Sequence, residues 1–152
     1  ERWLPVHGLV PHSKGEQVLA AIEAVYERNR DLLAQYAIET GYLIATVSEQ
    51  ITVLEPVFFW PDALNSLHKH SLEPEHLARI NQFDAVPQAW DAVYKIKSEV
   101  VDVLSAQGAS HLQLGKAYHY RPALKAPAEG LISGIKSILD PDKIMNPGVL
   151  GF

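Results

Sequence analysis

The sequence predicts an α+β fold of the ferredoxin-like type, in which an antiparallel sheet carries both long helices on one face. The first observation behind this prediction is the order of hydrophobic periodicities, which runs β-α-β-β-α-β and ends in a further helix and a tail. The second is the length of 152 residues, which suits one domain over 1–152. The third is the absence of internal repeats and of a clean point at which the chain divides.

The first strand and the first helix come from the opening part of the chain. Residues 3–10 are apolar and β-prone, and they predict a strand that ends at Pro11. Ser13 and Glu16 have the spacing of a capping box, which indicates the start of a helix. Residues 14–37 then repeat apolar side chains every three or four positions, which predicts one long amphipathic helix. Its apolar stripe comprises Val18, Ile22, Val25, Leu32 and Tyr36.

A β-hairpin and an insert follow. Gly41 is expected to end the helical region before two runs rich in β-branched and aromatic residues, 42–47 and 51–59, which predict the hairpin. Residues 61–87 contain three of the ten prolines and three of the seven histidines, and they indicate an insert outside the core. One short helix is expected there, at 75–80.

The second half of the chain repeats the order of helix and strand. A first-turn proline and apolar residues at three- and four-residue spacing predict a helix over 87–106. Residues 111–114 alternate in polarity and predict a last short strand. A terminal helix is predicted over 127–139, because a proline opens it and an Asp-Pro pair ends it.

The charge balance and the residue types exclude several classes of protein. Thirteen Lys and Arg residues against 18 Asp and Glu residues give a net charge of −5, so we expect no nucleic-acid partner. The absence of cysteine rules out disulfides, thiolate metal sites and iron–sulfur clusters, so redox chemistry would need a bound cofactor. The longest apolar stretch is broken by Glu55 and Pro56, which argues against membrane insertion.

The N-terminus and two tryptophans bear on location and partners. The chain opens on Glu1 without a basic or apolar targeting segment, which favours a cytoplasmic protein. Its first residues read like a strand entered within a longer protein, so we expect a fragment. Trp3 and Trp60 indicate an interface, and its partner is either a missing domain or a second subunit of a homo-oligomer.

Two kinds of cofactor site lack support in the residue pattern. The nine glycines never form Gly-x-Gly-x-x-Gly, so the chain has no recognisable dinucleotide loop of its own. His68, His70 and His76 have donor atoms for a metal, but they fall in the Pro-rich insert. We therefore favour a solvated loop over a metal site.

Two isolated polar residues are candidates for catalysis. Glu55 interrupts the apolar run of the second hairpin strand, so its carboxylate is paired, protonated or directed outward. A role in a pocket and a solvated position at the sheet edge are its alternatives. His7, near the end of the first strand, either reaches a pocket at the sheet edge or satisfies local backbone groups.

The densest group of polar and aromatic residues is segment 113–122, between the last strand and the terminal helix. Tyr120 and Arg121 are neighbours in this segment. A phenol hydroxyl beside a guanidinium can hold an anion such as a carboxylate or a phenolate. The alternative is a structural tyrosine with Arg121 in solvent.

The tail carries a family resemblance. Residues 137–148, SILDPDKIMNPG, resemble the closing signature of the FAD-linked oxidases of the vanillyl-alcohol oxidase and p-cresol methylhydroxylase superfamily, which also includes flavin D-lactate dehydrogenases and glycolate oxidase. Residues 3–13 (WLPVHGLVPHS), 54–62 (LEPVFFWPD) and 112–116 (LQLGK) are similar to the C-terminal domain of that superfamily. The resemblance extends over nearly the whole chain.

The resemblance implies a cap domain over the substrate site of a flavoenzyme, with the FAD-binding domain N-terminal to Glu1. It also implies that Tyr120 and Arg121 anchor a substrate phenolate near the flavin. A neighbouring cation favours the phenolate, which pushes electron density toward the carbon that gives up hydride. Fixed charge at this place would stabilise the transition state.

For the cofactor, the resemblance implies contacts from Lys116, Asn146 and Gly148, although Val149 stands where the family frequently has lysine. The hydroxy-acid branch often carries a His-Gly-Asp-Gly-Asn metal motif, which this chain lacks, so no metal is expected. Some phenol oxidases attach FAD to a histidine in the second hairpin strand. This chain reads ITVL there, at 51–54, so no covalent bond to FAD is expected.

The expected function is that of an FAD-dependent oxidoreductase that takes hydride from a CH–OH or benzylic carbon of a 4-substituted phenol or aromatic alcohol. The catalytic candidates are Tyr120, Arg121, Glu55 and His7. A flavin dehydrogenase of 2-hydroxy acids, with Arg121 holding the carboxylate, is the first alternative. The second is a non-catalytic ferredoxin-like module that binds a partner through residues 61–87.

Overall fold

The computed structural model describes residues 1–111, 113 and 115–152. One antiparallel sheet is formed by β1 (Arg2–Pro5), β2 (Gly8–Pro11), β3 (Glu39–Thr46) and β4 (Ile51–Trp60). The helices of this part of the chain are α1 (Gly15–Arg28), α2 (Arg30–Gln35), α3 (Ser66–Ser71), α4 (Pro74–Leu77), α5 (Pro87–Ala106), α6 (Tyr120–Ala123) and α7 (Ala126–Leu139). Short 3₁₀ turns cover His12–Lys14 and Val149–Gly151. The predicted α+β class is confirmed.

β4 lies at the centre of the sheet, with β3 on one side and both β1 and β2 on the other. β1 and β2 keep the same register on β4, so they are two parts of the single strand predicted for 3–10. The ladder is interrupted between them at Pro56. This residue accepts the N–H of Val6 at 2.9 Å but has no N–H of its own to donate.

The far edge of β2 carries a further antiparallel contact. Ser110 forms a bridge with Leu9 through two backbone hydrogen bonds of 2.6 and 3.1 Å. The strand predicted at 111–114 is not formed at His111 or Gln113, and residues 112 and 114 lie outside the described residues. Together with the bridge, the order across the sheet is that of a ferredoxin-like fold, with every described neighbour antiparallel.

The core lies between the sheet and the two long helices α1 and α5. Alternate side chains of β4, namely Leu54, Phe58 and Trp60, belong to this core, whereas Val53 and Val57 lie on the opposite face. The expectation of Trp60 at an interface is therefore wrong, because its side chain is fully buried in the core. The helices and the first strand contribute most of the remaining core residues, which include Val6, Val10, Val18, Ile22, Val25, Val93, Ile96, Val100 and Leu104. The first part of the predicted apolar stripe is therefore confirmed as core.

The helix predicted for 14–37 is divided at Asn29, so the prediction of one continuous helix is wrong. The side-chain amide of Asn29 donates to the carbonyl oxygen of Val25 and to the carboxylate of Glu99 on α5, both at 3.0 Å. Its side-chain oxygen accepts from Lys95 at 3.2 Å. An asparagine that satisfies backbone and neighbouring groups in this way competes with helix continuation.

Two other local expectations are wrong. The predicted capping box of Ser13 and Glu16 does not form, because Ser13 lies within the 3₁₀ turn His12–Lys14 and α1 starts without a side-chain cap. Gly41 does not end the helical region but lies within β3. At Ser13 the 3₁₀ turn occupies the expected cap position, and at Gly41 strand β3 begins earlier than the local pattern indicates.

The helices α5 and α7 and the hairpin agree with the sequence, whereas α3 and α6 are helices that it did not predict. The helix predicted for 87–106 is α5, and the helix predicted for 127–139 is α7. The predicted hairpin is formed by β3 and β4. The insert at 61–87 contains α3 and α4, of which α4 overlaps the short helix expected at 75–80.

Asp62 connects the start of this insert to the sheet and to α5. Its buried carboxylate accepts from Arg2 Nε at 3.0 Å, from Trp90 Nε1 at 2.7 Å and from the backbone N–H of Val86 at 3.3 Å. Burial by itself would raise the pKa of Asp62, but the hydrogen bonds from Trp90 and Arg2 outweigh it and keep the pKa below its usual value.

Asp140 ends α7 and organises the tail. Its buried carboxylate accepts the backbone N–H groups of Ile144 at 2.9 Å and Met145 at 3.1 Å, together with the ammonium of Lys136. α7 has no buried residue, and its exposed apolar side chains are Leu131, Ile135, Ile138 and Leu139. Within the described residues, no helix combines the length and hydropathy that a membrane span requires.

Candidate functional site

The sheet face opposite α1 and α5 carries the candidate site, and we call it the outer face. The register places its residues in rows that cross β1–β2, β4 and β3 in turn. One row consists of His7, Glu55 and Leu43, since directly opposed residues of antiparallel strands point to the same side. The next row consists of Pro5, Val57 and Gly41. His7 and Glu55, which are far apart in sequence, are therefore cross-strand neighbours.

Glu55 lies in the middle of this face. Its neighbours along the same side of β4 are the buried valines Val53 and Val57, and Leu43 flanks it on β3. Gly41 contributes no side chain to the adjoining row, so the surface beside the carboxylate is low and apolar. Glu55 itself is partly exposed. The carboxylate thus has apolar neighbours on its strand and on β3, and it is still accessible to a ligand.

His7 is held firmly beside Glu55, with only 1% of its surface exposed. The backbone N–H of Gln113 donates to His7 Nε2 at 3.1 Å, so this ring nitrogen is the unprotonated one. His111 Nδ1 donates to the carbonyl oxygen of His7 at 2.9 Å. The ring of Tyr118 stacks on the imidazole with a centroid distance of 4.7 Å and an interplanar angle of 17°.

The surroundings of His7 favour its neutral form. Burial lowers the pKa of His7 because removal from water disfavours the imidazolium, and His111 adds to the shift. The carboxylate of Glu55 acts in the opposite direction without reversing it. At neutral pH His7 therefore carries no positive charge that could pair with Glu55.

Tyr118 is a residue of this site that the sequence did not single out. Its ring contacts His7 and lies 4.5 Å from the ring of His111. Burial raises the pKa of Tyr118, so the phenol keeps its proton at neutral pH. The dense segment 113–122 pointed to this part of the chain, but the choice between its tyrosines depends on the fold.

Arg121 has partners within its own part of the chain. On α6, it forms an ion pair with Glu129 of α7 at 2.7 Å, donates to the carbonyl oxygen of Gly151 at 3.2 Å and lies 4.8 Å from the ring of Phe152. Among the described residues, no hydrogen bond, ion pair or ring contact joins Tyr120 or Arg121 to His7 or Glu55. The structure therefore brings two of the four catalytic candidates together and leaves the other two apart.

The three candidate cofactor residues lie where the tail meets the loop after the sheet. The backbone N–H of Leu150 donates to the carbonyl oxygen of Gly115 at 2.9 Å. Gly148 has a φ of +77°, and a Cβ added to it would lie 4.0 Å from Cε of Lys116. Asn146 is exposed on the same tail, with a φ of +46°. Lys116, Asn146 and Gly148 are thus part of one surface region.

The histidines of the insert are ordered on short helices, so the expectation of a loop is wrong there. His68 accepts the backbone N–H of Asn65 through Nδ1 at 3.4 Å and contacts Arg2 Nη1 at 3.1 Å. His70 Nδ1 contacts the carbonyl oxygen of Ser66 at 2.7 Å. In the described part of the chain, no group of three or more His, Asp or Glu side chains has the arrangement of a metal site.

Comparison with known proteins adds no assignment to this geometry. Neither the protein-family models, nor the curated proteins, nor the solved structures gave a match to this chain.

Proposed function

We propose that this chain is the substrate-covering domain of an FAD-dependent oxidoreductase, and that Glu55 accepts the hydroxyl proton of an alcohol or phenol. The observation that carries the proposal is the carboxylate in the middle of an apolar sheet face, with a neutral His7 beside it. Trp3 and Leu43, on opposite margins of this face, are 56% and 50% exposed, so there is room for a ligand and a second domain. The flavin in this proposal is inferred from the motif resemblance of the tail.

The residues of the outer face are compatible with a flat ring system. Pro5 and Gly41 are partly exposed on either side of the buried Val57, directly beside Glu55, and this apolar row would suit contact with a flat aromatic ring. Lys116 and Asn146, exposed where the tail meets the loop, would hold polar groups of the cofactor. When bound, FAD would accept a hydride from the substrate carbon.

Glu55 would take the proton that leaves the substrate hydroxyl while the carbon loses hydride, so that the alcohol becomes a carbonyl compound. A covering domain would remove water from the carboxylate, and a carboxylate with less water is a stronger proton acceptor. His7 would act as a positioning residue, because its contacts with Gln113, His111 and Tyr118 hold the imidazole against the same strand pair.

The apolar neighbours of Glu55 favour an uncharged substrate with an aromatic ring. Leu43 and Phe59 offer contact to a ring, and among the described residues no Lys or Arg forms an ion pair with Glu55. A 4-substituted phenol or an aromatic alcohol meets both conditions. Tyr120 and Arg121 stay proposed anchors, although Arg121 would have to exchange Glu129 for the substrate.

The proposal predicts a large loss of rate in Glu55→Gln. In the native flavoprotein that contains this chain, anaerobic flavin reduction by an aryl alcohol should slow by about 10²-fold or more, as is typical for loss of a general base. Glu39→Gln is the matched control, since Glu39 is an exposed carboxylate at the margin of the same face, opposite Phe59. Wild-type reduction rates in Glu55→Gln would overturn the proposal, as would a native protein without flavin absorbance.

A second prediction separates the two substrate classes. If a 2-hydroxy acid is the substrate, Arg121→Ala should raise KM for the hydroxy acid by about 10-fold or more, because a charged hydrogen bond to its carboxylate is lost. If the substrate is an aryl alcohol, the larger effect of Arg121→Ala should fall on phenolic substrates. Glu129→Ala serves as the control, since it frees Arg121 without removing the guanidinium.

A further inference from the structure

Lys97 on α5 has no role in the site described above. It is partly buried and, among the described residues, has no hydrogen bond and no ion pair. Its contacts are with aromatic rings: Nζ lies 5.8 Å from the ring centre of Tyr94 and 6.0 Å from that of Tyr118. An amine placed in this way lacks the carboxylate that normally stabilises a lysine ammonium.

Lys95, two positions earlier on α5, provides the contrast. Its side chain is 62% exposed, donates to Asn29 Oδ1 at 3.2 Å and lies 4.0 Å from a carboxylate oxygen of Glu99. Lys95 therefore has the polar partners that Lys97 lacks among the described residues. Burial lowers the pKa of Lys97, so at neutral pH the free-amine fraction of Lys97 is larger than that of a lysine with the usual pKa.

Lys97 opens onto a cleft of about 210 Å³. The lining residues are Tyr94, Lys97, Ser98, Val101, Ala117 and His119. The walls are aromatic and aliphatic, and the polar groups are the amine, the Ser98 hydroxyl and the His119 imidazole. His119 Nδ1 is hydrogen-bonded to the Ser105 hydroxyl at 3.1 Å, which orients the ring. The cleft thus combines an amine, two groups able to move protons and a surface for a ring.

We infer that Lys97 forms a Schiff base with aromatic aldehydes that enter this cleft. The amine lone pair attacks the carbonyl carbon, and the electron pair of the C=O bond moves to oxygen, which takes up a proton. The carbinolamine then loses water, a C=N bond forms, and no oxidant or reductant takes part. His119 and Ser98 carry the protons between nitrogen and oxygen.

An aromatic aldehyde fits better than a small polar carbonyl compound. Tyr94 presents an exposed ring beside the amine, and Val101 and Ala117 complete an apolar wall. An aryl aldehyde is also the product class of aromatic alcohol oxidation, but the inference does not rest on the proposed function. Schiff-base formation needs only this chain and no flavin.

The test uses the unmodified chain. It is incubated with benzaldehyde and sodium cyanoborohydride, which reduces the imine to a stable secondary amine, and the rate of labelling at each lysine is followed by peptide mass spectrometry. At pH 7, Lys97 should be labelled at least about threefold faster than Lys95, because burial lowers the pKa of Lys97 and so enlarges its free-amine fraction. The ratio should fall toward one at pH values where both amines are deprotonated.

The pH dependence of the labelling rate involves the titratable groups that face Lys97. These are the phenols of Tyr94 on its own helix and Tyr118, and the imidazole of His119 in the segment packed against α5. His119→Gln should lower the labelling rate of Lys97 and leave that of Lys95 unchanged. Equal or slower labelling of Lys97 relative to Lys95 at pH 7 would overturn the inference. So would a ratio that does not change with pH.

Discussion

Single residues decide the chemistry that the outer face can perform. A carboxylate on the central strand would be a costly defect if it were covered by apolar groups alone. Glu55 avoids this cost because it is partly exposed, and His7 next to it is neutral because burial lowers its pKa. The result is a negative charge that is available to a ligand and not consumed in an ion pair.

The state of His7 leads to a prediction about stability and pH. The unfolded imidazole takes up a proton near pH 6.5, whereas the folded imidazole requires a lower pH. Below about pH 6.5 the unfolded state therefore binds more protons, and the free energy of unfolding should fall as the pH decreases. Urea unfolding at a series of pH values measures this dependence.

His7→Gln should flatten this pH dependence, since glutamine can still accept the N–H of Gln113 but does not titrate. His70→Gln is the control, because His70 lies exposed on α3. It should keep the wild-type slope. The same slope in His7→Gln as in the wild type would show that burial of His7 does not shift its protonation.

At the scale of elements, the close approach of β2 to α5 determines where the site lies. Gly8 faces the helix, and a Cβ at this position would lie 2.8 Å from Leu104 Cδ2 and 3.1 Å from Ala109 Cβ. Both neighbours are buried, so neither has free space to move into. The absence of a side chain at Gly8 thus lets the strand carrying His7 pack directly on the helix.

This packing predicts opposite effects for two glycine substitutions. Gly8→Ala should destabilise the chain by about 1–2 kcal/mol through overpacking. Gly134→Ala should stabilise α7 by up to about 1 kcal/mol, because alanine is the better helix former and no atom lies within 4 Å of the added Cβ. Free energies of unfolding in urea compare the two variants. An unchanged free energy of unfolding in Gly8→Ala would contradict tight packing of β2 on α5.

For the whole molecule, the main feature is the apolar surface that is exposed to solvent. The exposed apolar side chains of α7 and the tail lie close together in sequence, and Trp3 and Leu43 are exposed on the outer face. A surface of this kind favours association in water. Because no side chain of α7 is buried among the described residues, we expect the isolated chain to self-associate through this helix.

Sedimentation velocity at several concentrations tests this expectation. Ile138→Lys, on the exposed side of α7, should lower the tendency to associate without changing the free energy of unfolding by more than about 0.5 kcal/mol. Leu67→Lys, an exposed apolar residue on α3, is the control and should have a smaller effect. Equal effects of both substitutions would argue against α7 as the surface through which the chain associates.

Local sequence patterns were sufficient for the elements whose residues mainly interact with close neighbours along the chain. The helix α5 matches its predicted range because its first-turn proline and its apolar spacing act within a few residues. The hairpin of β3 and β4 follows for a similar reason, since two β-prone runs are joined by a short connection. The α+β class then follows from the order of these elements.

The sequence by itself therefore determined the order of strands and helices, the faces that become core and the candidates Glu55 and His7, because periodicity and an isolated charge can be read from a few neighbouring residues. The tertiary structure decided the contacts between distant segments. It interrupts the first helix at Asn29, places His7 opposite Glu55 with Tyr118 on the ring, and pairs Arg121 with Glu129. Such contacts depend on the packing of the whole chain, which no local pattern contains.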